Sequence, residues 1–195
     1  MKPISIMARA VLFTAVTIVA AGCGSSSGPA QSTATPPTPP TDQAVAQTAK
    51  QLLAPFHLLV QRSSVGEKPD PRGGSELSLY AQPPSDQSVA LYAQRFMPLA
   101  AKVVPTLFAK YPGITWIDLC QEPAKSSGTW ETVPVTRLEI SRTGSGRVDW
   151  ERGDLARVLA LNRTRPLEVA IEWHNGIGST PVWRTATSEA LKLGG

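Results

Sequence analysis

An uncharged run of eleven residues, Val11 to Ala21, ends on Gly22 and Cys23, and the next eighteen residues consist wholly of Gly, Ser, Thr, Ala, Gln and Pro. This pair of segments limits what the rest of the chain can be. A membrane-spanning helix needs about 20 apolar residues, whereas the apolar core of a secretory signal needs about 7–15 and follows a basic start. Lys2 and Arg9 supply that start, so residues 1–22 are expected to be a signal peptide rather than a stable span. Gly24 to Pro29 reads as a flexible coil, and the Pro pairs at 36–37 and 39–40 read as an extended spacer. Neither segment can join a core, so residues 43–195 must supply the folded domain. Composition agrees, because charged residues are 17% of the chain and 18 of its 195 residues are Pro, five of these lying at 29, 36, 37, 39 and 40. The net charge of +4 falls to +2 once Lys2 and Arg9 leave with the signal. A basic total therefore argues little for a nucleic-acid partner, and none is expected.

Ala20-Ala21-Gly22-Cys23 resembles a bacterial lipobox, with Ala20 where that pattern usually carries Leu. The resemblance implies lipidation of Cys23, which would become the N-terminus of a membrane lipoprotein facing outside the cytoplasm. Two or three acyl chains on one cysteine give the stable attachment that a single chain does not. An Ala-, Arg- and Pro-rich composition suits a source of the actinobacterial kind. The resemblance covers about the first forty residues and says nothing of the domain beyond them.

Within the domain, Leu52, Leu53, Phe56, Leu59 and Val60 recur at helical intervals and predict a helix over 44–62, kinked at Pro55. Gly and Pro residues between 63 and 75 predict a loop, and Leu77 and Leu79 a short strand ending at Pro83-Pro84. Asp86 is the expected cap of a long helix carrying an apolar stripe from Val89 to Tyr111, kinked or divided by Pro98 and Pro105. A strand over 114–120, apolar on both faces, is the expected centre of the sheet. A second strand over 131–142 changes parity between Val135 and Leu138, which a bulge would allow, and Pro134 suits its beginning or an edge. A Thr-Gly-Ser-Gly turn at 143–146 precedes a helix capped by Asp154 and carrying Leu155, Val158 and Leu159. Leu167, Val169, Ile171 and Trp173 alternate with polar or small residues, predicting a half-buried strand. Residues 174–178 look like a hairpin turn returning through 180–185, with a short helix at 188–193. These elements predict an α+β fold, a small, mainly antiparallel sheet packed with helices.

If Cys23 is acylated, Cys120 is the one thiol left, in a protein expected to be exported. Cys120 with His174 or His57 as base would make a nucleophile, and Asp118, Cys120, Glu122 and His174 are ligand types for a metal. The plainer reading makes Cys120 a small buried hydrophobe and pairs Asp118 with Arg137 or Arg142. No signature surrounds the cysteine, and no paired metal-ligand spacing, P-loop, dinucleotide fingerprint or G-x-S-x-G occurs. No metal and no cofactor are expected. Trp116 and Trp173 are in register with apolar strand neighbours and are expected in the core, leaving Trp130, Trp150 and Trp183 as candidates for an exposed, glycan-stacking surface. Seven arginines between 137 and 165 alternate with acids and read as a solvated mixed-charge face. The expected function is a tethered, non-catalytic module that binds an envelope protein or wall polymer. An envelope hydrolase using Cys120 and His174, and wall-glycan binding through Trp, are the alternatives.

Overall fold

The computed structural model describes residues 37–67, 74–124, 134–174 and 176–193. Among the described residues the first regular element is α1 (Asp42–Leu53), which starts where Thr41 accepts a hydrogen bond from the Ala44 amide. Pro55 stops it. A 3-10 turn over Ala54–Phe56 ends on His57 in the left-handed region, at φ 53°, and the chain leaves as strand β1 (Leu59–Glu67). The helix expected over 44–62 is therefore two elements, and the loop expected over 63–75 begins with the second half of a strand. Leu59 and Val60 continued a helical spacing by coincidence, and Ser63-Ser64-Val65-Gly66 lacks the alternation that would have revealed β1.

Strand β2 (Ser75–Gln82) pairs antiparallel with β1, then the chain crosses through α2 (Val89–Lys110) to β3 (Trp116–Gln121), which pairs parallel with β2. Such a connection is what parallel neighbours require. Ser88, not Asp86, caps α2, its hydroxyl accepting from the Leu91 amide. The helix is one element of 22 residues despite Pro98 and Pro105. Each proline withdraws a donor from the carbonyl four residues earlier. Those carbonyls belong to Gln94 and Ala101, which share the outward stripe with the prolines, so water can replace the missing bonds.

Strand β4 (Thr136–Ser141) pairs antiparallel with β3 in unbroken register, from Trp116 opposite Ser141 to Gln121 opposite Thr136. The expected bulge is absent from this register because the strand begins after Pro134 and Val135, not before them; residues 131–133 lie outside the described residues. The residues read as a turn at 143–146 form a one-turn helix, α3 (Arg142–Ser145). Gly144 lets it approach the sheet edge, since a Cβ there would stand 2.7 Å from the Glu168 carbonyl oxygen. Helix α4 (Leu155–Thr164) is capped by Asp154 as expected, and β5 (Val169–Trp173) pairs antiparallel with β4. The segment read as a returning strand is α5 (Pro181–Leu193), which begins on proline, the residue suited to a helix's first position.

The sheet order is β1-β2-β3-β4-β5, with β3 central, and the fold is α+β as expected. Leu77, Leu79, Ile117, Leu119, Leu138, Ile140, Val169 and Ile171 share one sheet face and form a single core with the apolar stripes of α1, α2, α4 and α5. The other face carries Tyr80, Trp116, Asp118, Cys120, Arg137, Glu139 and Glu172, and none of these belongs to that core. At the start of the described chain, the backbone of Pro37 and Thr38 lies on Gly113, where a Cβ would meet the Pro37 carbonyl oxygen at 2.6 Å.

Candidate functional site

The alternation of β2, β3 and β4 brings most of the chemically interesting residues to the sheet face away from the core. Arg137 lies across it. Its Nε donates to Asp118 Oδ1 at 2.9 Å and its Nη2 to Asp118 Oδ2 at 3.1 Å, a two-bond fork, and Nη2 also meets Glu139 at 2.6 Å. Asp118 is 2% exposed. A carboxylate so buried requires a partner, and the planar guanidinium supplies one with matching geometry. The bond to Asp118 in turn raises the Arg137 pKa beyond its ordinary value. Glu76, Asp118 and Glu139 bring carboxylate oxygens within 4.8 Å of one another. Arg137 already contributes a positive charge to two of the three. Beside them, the Arg62 guanidinium stacks 4.1 Å over the Tyr80 ring.

Cys120 lies on this face between Tyr80 and Arg137 in the strand register and is fully buried. Burial, and then the neighbouring Asp118 carboxylate, push its thiol far above the ordinary range, with Arg137 opposing. Its Sγ donates to Asp118 Oδ1 at 3.5 Å. Cys120 on β3 is separated by β4 from Glu172 on β5, two spacings or about 10 Å of sheet, and His174 lies two residues further on, past the end of β5. His174 is exposed at the end of β5, where its amide donates to the Val135 carbonyl. His57 is exposed in the turn before β1. The grouping of Asp118, Cys120, Glu122 and His174 is thus replaced by Asp118 with Glu76 and Glu139, contributed by the strands on either side. Glu122 is buried just past the end of β3, close enough for its carbonyl to accept from the Tyr92 hydroxyl at 3.3 Å. Of the two arginines considered for Asp118, Arg137 is the partner. Arg142 instead donates to the carbonyls of Phe108, Tyr111, Pro112 and Ile114, where α2 ends.

The tryptophans exchange roles. Trp116 is buried as expected, but Trp173, expected in the core, is 41% exposed, while Trp183, a candidate for an exposed surface, is 0% exposed. Alternation put Trp173 on the inner parity correctly, yet it is the last residue of β5 and projects past the end of the core. Trp183 turns inward because 181–193 is helical, which sets Trp183, Ala186 and Ala190 in one buried line. Proline at the head of this segment was the sequence signal for that helix. Trp150 is half-buried, its Nε1 donating to the Ser145 carbonyl and hydroxyl oxygens. Trp130 and Cys23 lie outside the described residues. Among the arginines after 137, Arg147 and Arg165 both pair with Glu168, and Arg152 pairs with Asp149.

Two openings lie elsewhere. A groove between the start of α4 and α5 runs over Gly153, Ala156, Val182 and Ala186. A smaller cleft of about 210 Å³ lies in the turn after β5, lined by Trp173, His174, Gly176, Gly178 and Ser179. No protein-family profile, curated protein or solved structure matches this chain. Among the described residues, no helix is long and apolar enough to cross a membrane.

Proposed function

We propose that this chain is a bacterial cell-envelope lipoprotein, anchored through acylated Cys23 and facing outside the cytoplasm, whose α+β unit is a non-catalytic module binding an envelope protein or wall polymer. The supporting observation is the state of the sheet face. Its ionisable groups are engaged with one another, Arg137 holding Asp118 and Glu139 together, and its thiol is held protonated beneath them. A nucleophile needs the reverse, a thiol made more acidic by a base or a positive charge. A buried, internally paired face of this kind does not suit covalent chemistry, and what it leaves accessible to a partner is its rim, Arg137 and Glu172. The spacer then serves to hold the module away from the bilayer, and its last residues reach the folded unit where Pro37 and Thr38 lie on Gly113.

Two experiments test the two halves of this reading. A palmitate analogue fed to cells is expected to label the wild-type chain and not Cys23→Ala, which should leave the membrane fraction; equal labelling of both would overturn the anchor. Cys120→Ala is expected to preserve partner capture from the envelope. A hydrolase activity found in the wild type and abolished by that substitution would overturn the non-catalytic reading.

A further inference from the structure

We infer that the folded unit docks on an anionic lipid surface through the end at which the spacer enters it, Arg163 and Arg165 meeting lipid phosphates while Leu167 inserts among the headgroups. This rests on the reading of the chain as an anchored envelope protein, and gives that protein a docked state beside the one in which the spacer holds it clear. The first support is position. The backbone of Pro37 and Thr38 lies on Gly113, in the loop between α2 and β3. Arg142 ties that loop to the end of β4, its guanidinium donating to the carbonyls of Tyr111, Pro112 and Ile114 and its amide to the Thr115 carbonyl at 2.8 Å. Ser141, opposite Trp116, donates its amide to the Glu168 carbonyl at 2.8 Å. Glu168 therefore stands two strand spacings, about 10 Å, from Trp116, and the turn leading from α4 into β5 shares one end of the sheet with the spacer.

The second support is charge. The two segments that meet at this end, 142–147 and 163–168, hold four arginines and one acid, Glu168. Glu168 is paired with Arg147 at 2.8 Å and Arg165 at 3.1 Å, which leaves the group positive. The acids that alternate with arginines elsewhere in this part of the chain have partners of their own, Glu139 meeting Arg137 and Asp149 meeting Arg152. The third support is the shape of the turn. Residues 163–167 are exposed without interruption, and Leu167, at 73%, is the most exposed of the large apolar residues described. A lipid surface takes both parts of such a turn, cations at the phosphates and an apolar tip below them, whereas a soluble polyanion uses the cations alone. The fourth support is reach. The thirteen residues between Cys23 and Pro37 extend at most about 45 Å, so an anchored unit stays near the bilayer, and at such an effective concentration a few charges and one apolar side chain suffice.

The test uses the full chain with Cys23→Ala and Thr164→Cys, so that an environment-sensitive fluorophore attaches at 164 alone, Cys120 being buried. It is reconstituted with vesicles of phosphatidylglycerol and phosphatidylcholine in equal parts, or of phosphatidylcholine alone. In the anionic vesicles the emission is expected to shift to the blue and to be quenched by nitroxide-bearing lipid, and in the neutral ones to do neither. The docking equilibrium, read from the quenched fraction, should fall about fivefold for each of Arg163→Gln and Arg165→Gln, and roughly 0.5 M salt should abolish it. Leu167→Ser should weaken the quenching in the same vesicles. All three positions are exposed, and an unchanged melting temperature shows that the variants fold. Equal quenching in neutral vesicles, none in anionic ones, or quenching that the arginine and leucine variants leave unaltered overturns the docking surface. An equal blue shift with soluble polyglutamate in place of vesicles assigns the turn to a polyanion and overturns it too. Palmitate labelling of Cys23 in the otherwise native chain is read separately: labelling without quenching at 164 removes the docking alone, and quenching without labelling removes the anchor alone.

Discussion

Cys120 and Arg137 have opposite relations to the same carboxylate. Asp118 attracts the guanidinium and repels a thiolate, so one group is held charged and the other neutral. A measurable pH dependence follows for Cys120. An unfolded thiol loses its proton near about pH 8.5. The folded chain retains that proton to higher pH, so the contribution is intact below about 8.5 and is lost as pH rises, with a limiting slope of about 1.4 kcal/mol per pH unit. Denaturant unfolding followed from about pH 7 to 10 should show this decline in the wild type and a flatter curve in Cys120→Ala. Tyr80 and Tyr92 are also raised, first by burial, and they enter only near the ordinary phenol range of about 10. The burial of Cys120 was legible in the sequence, because β3 is apolar on both parities. Arg137 as the partner of Asp118 was legible only as one of two candidates. Glu76 and Glu139 were not legible as neighbours of Asp118, since their approach depends on the registers of β2 and β4 against β3.

At the scale of elements, the end of α2 depends on Arg142, which donates five hydrogen bonds to four backbone carbonyls and stacks 4.7 Å over Phe108. A cation at a helix C-terminus satisfies carbonyls that the helix itself leaves open. Arg142→Ala should destabilise the fold by about 2 kcal/mol, and Arg142→Lys should recover only part of that, because an ammonium lacks the fork; chemical unfolding checks both. The same helix offers a change of opposite sign. Pro98→Ala restores a donor to the Gln94 carbonyl on an exposed stripe and should stabilise the protein by up to about 3 kcal/mol, raising the melting temperature. Both outer strands are partly closed by side chains, Asp42 accepting from the Val65 amide at 2.7 Å and Asn162 from the Ile171 amide at 3.2 Å. Hydrogen exchange at Val65 should quicken in Asp42→Ala, which removes the side-chain acceptor from that amide. Elements with strong local patterns, α2, α4, β2 and β3, were legible to within a few residues. Strand β1 and helix α5 were not, because helical spacing continued past Pro55 by chance and a Gly-rich turn was read as a hairpin.

On the scale of the molecule, one sheet face is committed to the core and the other carries paired charge, with the Trp173 cleft at the end of the edge strand. Under the proposed anchoring through Cys23, Cys23→Ala should release the chain from the membrane fraction with an unchanged melting temperature, checked by fractionation and circular dichroism. The α+β class was readable from residues alone, as was the central place of β3, because composition and periodicity are local properties. Which residues meet was not readable in that way. The carboxylates of β2, β3 and β4 converge, Trp173 emerges and Trp183 is covered through strand registers and helix placements set by contacts between residues far apart in the chain. Local spacing assigns a side chain to a face, but only the packed neighbours decide whether that face is covered.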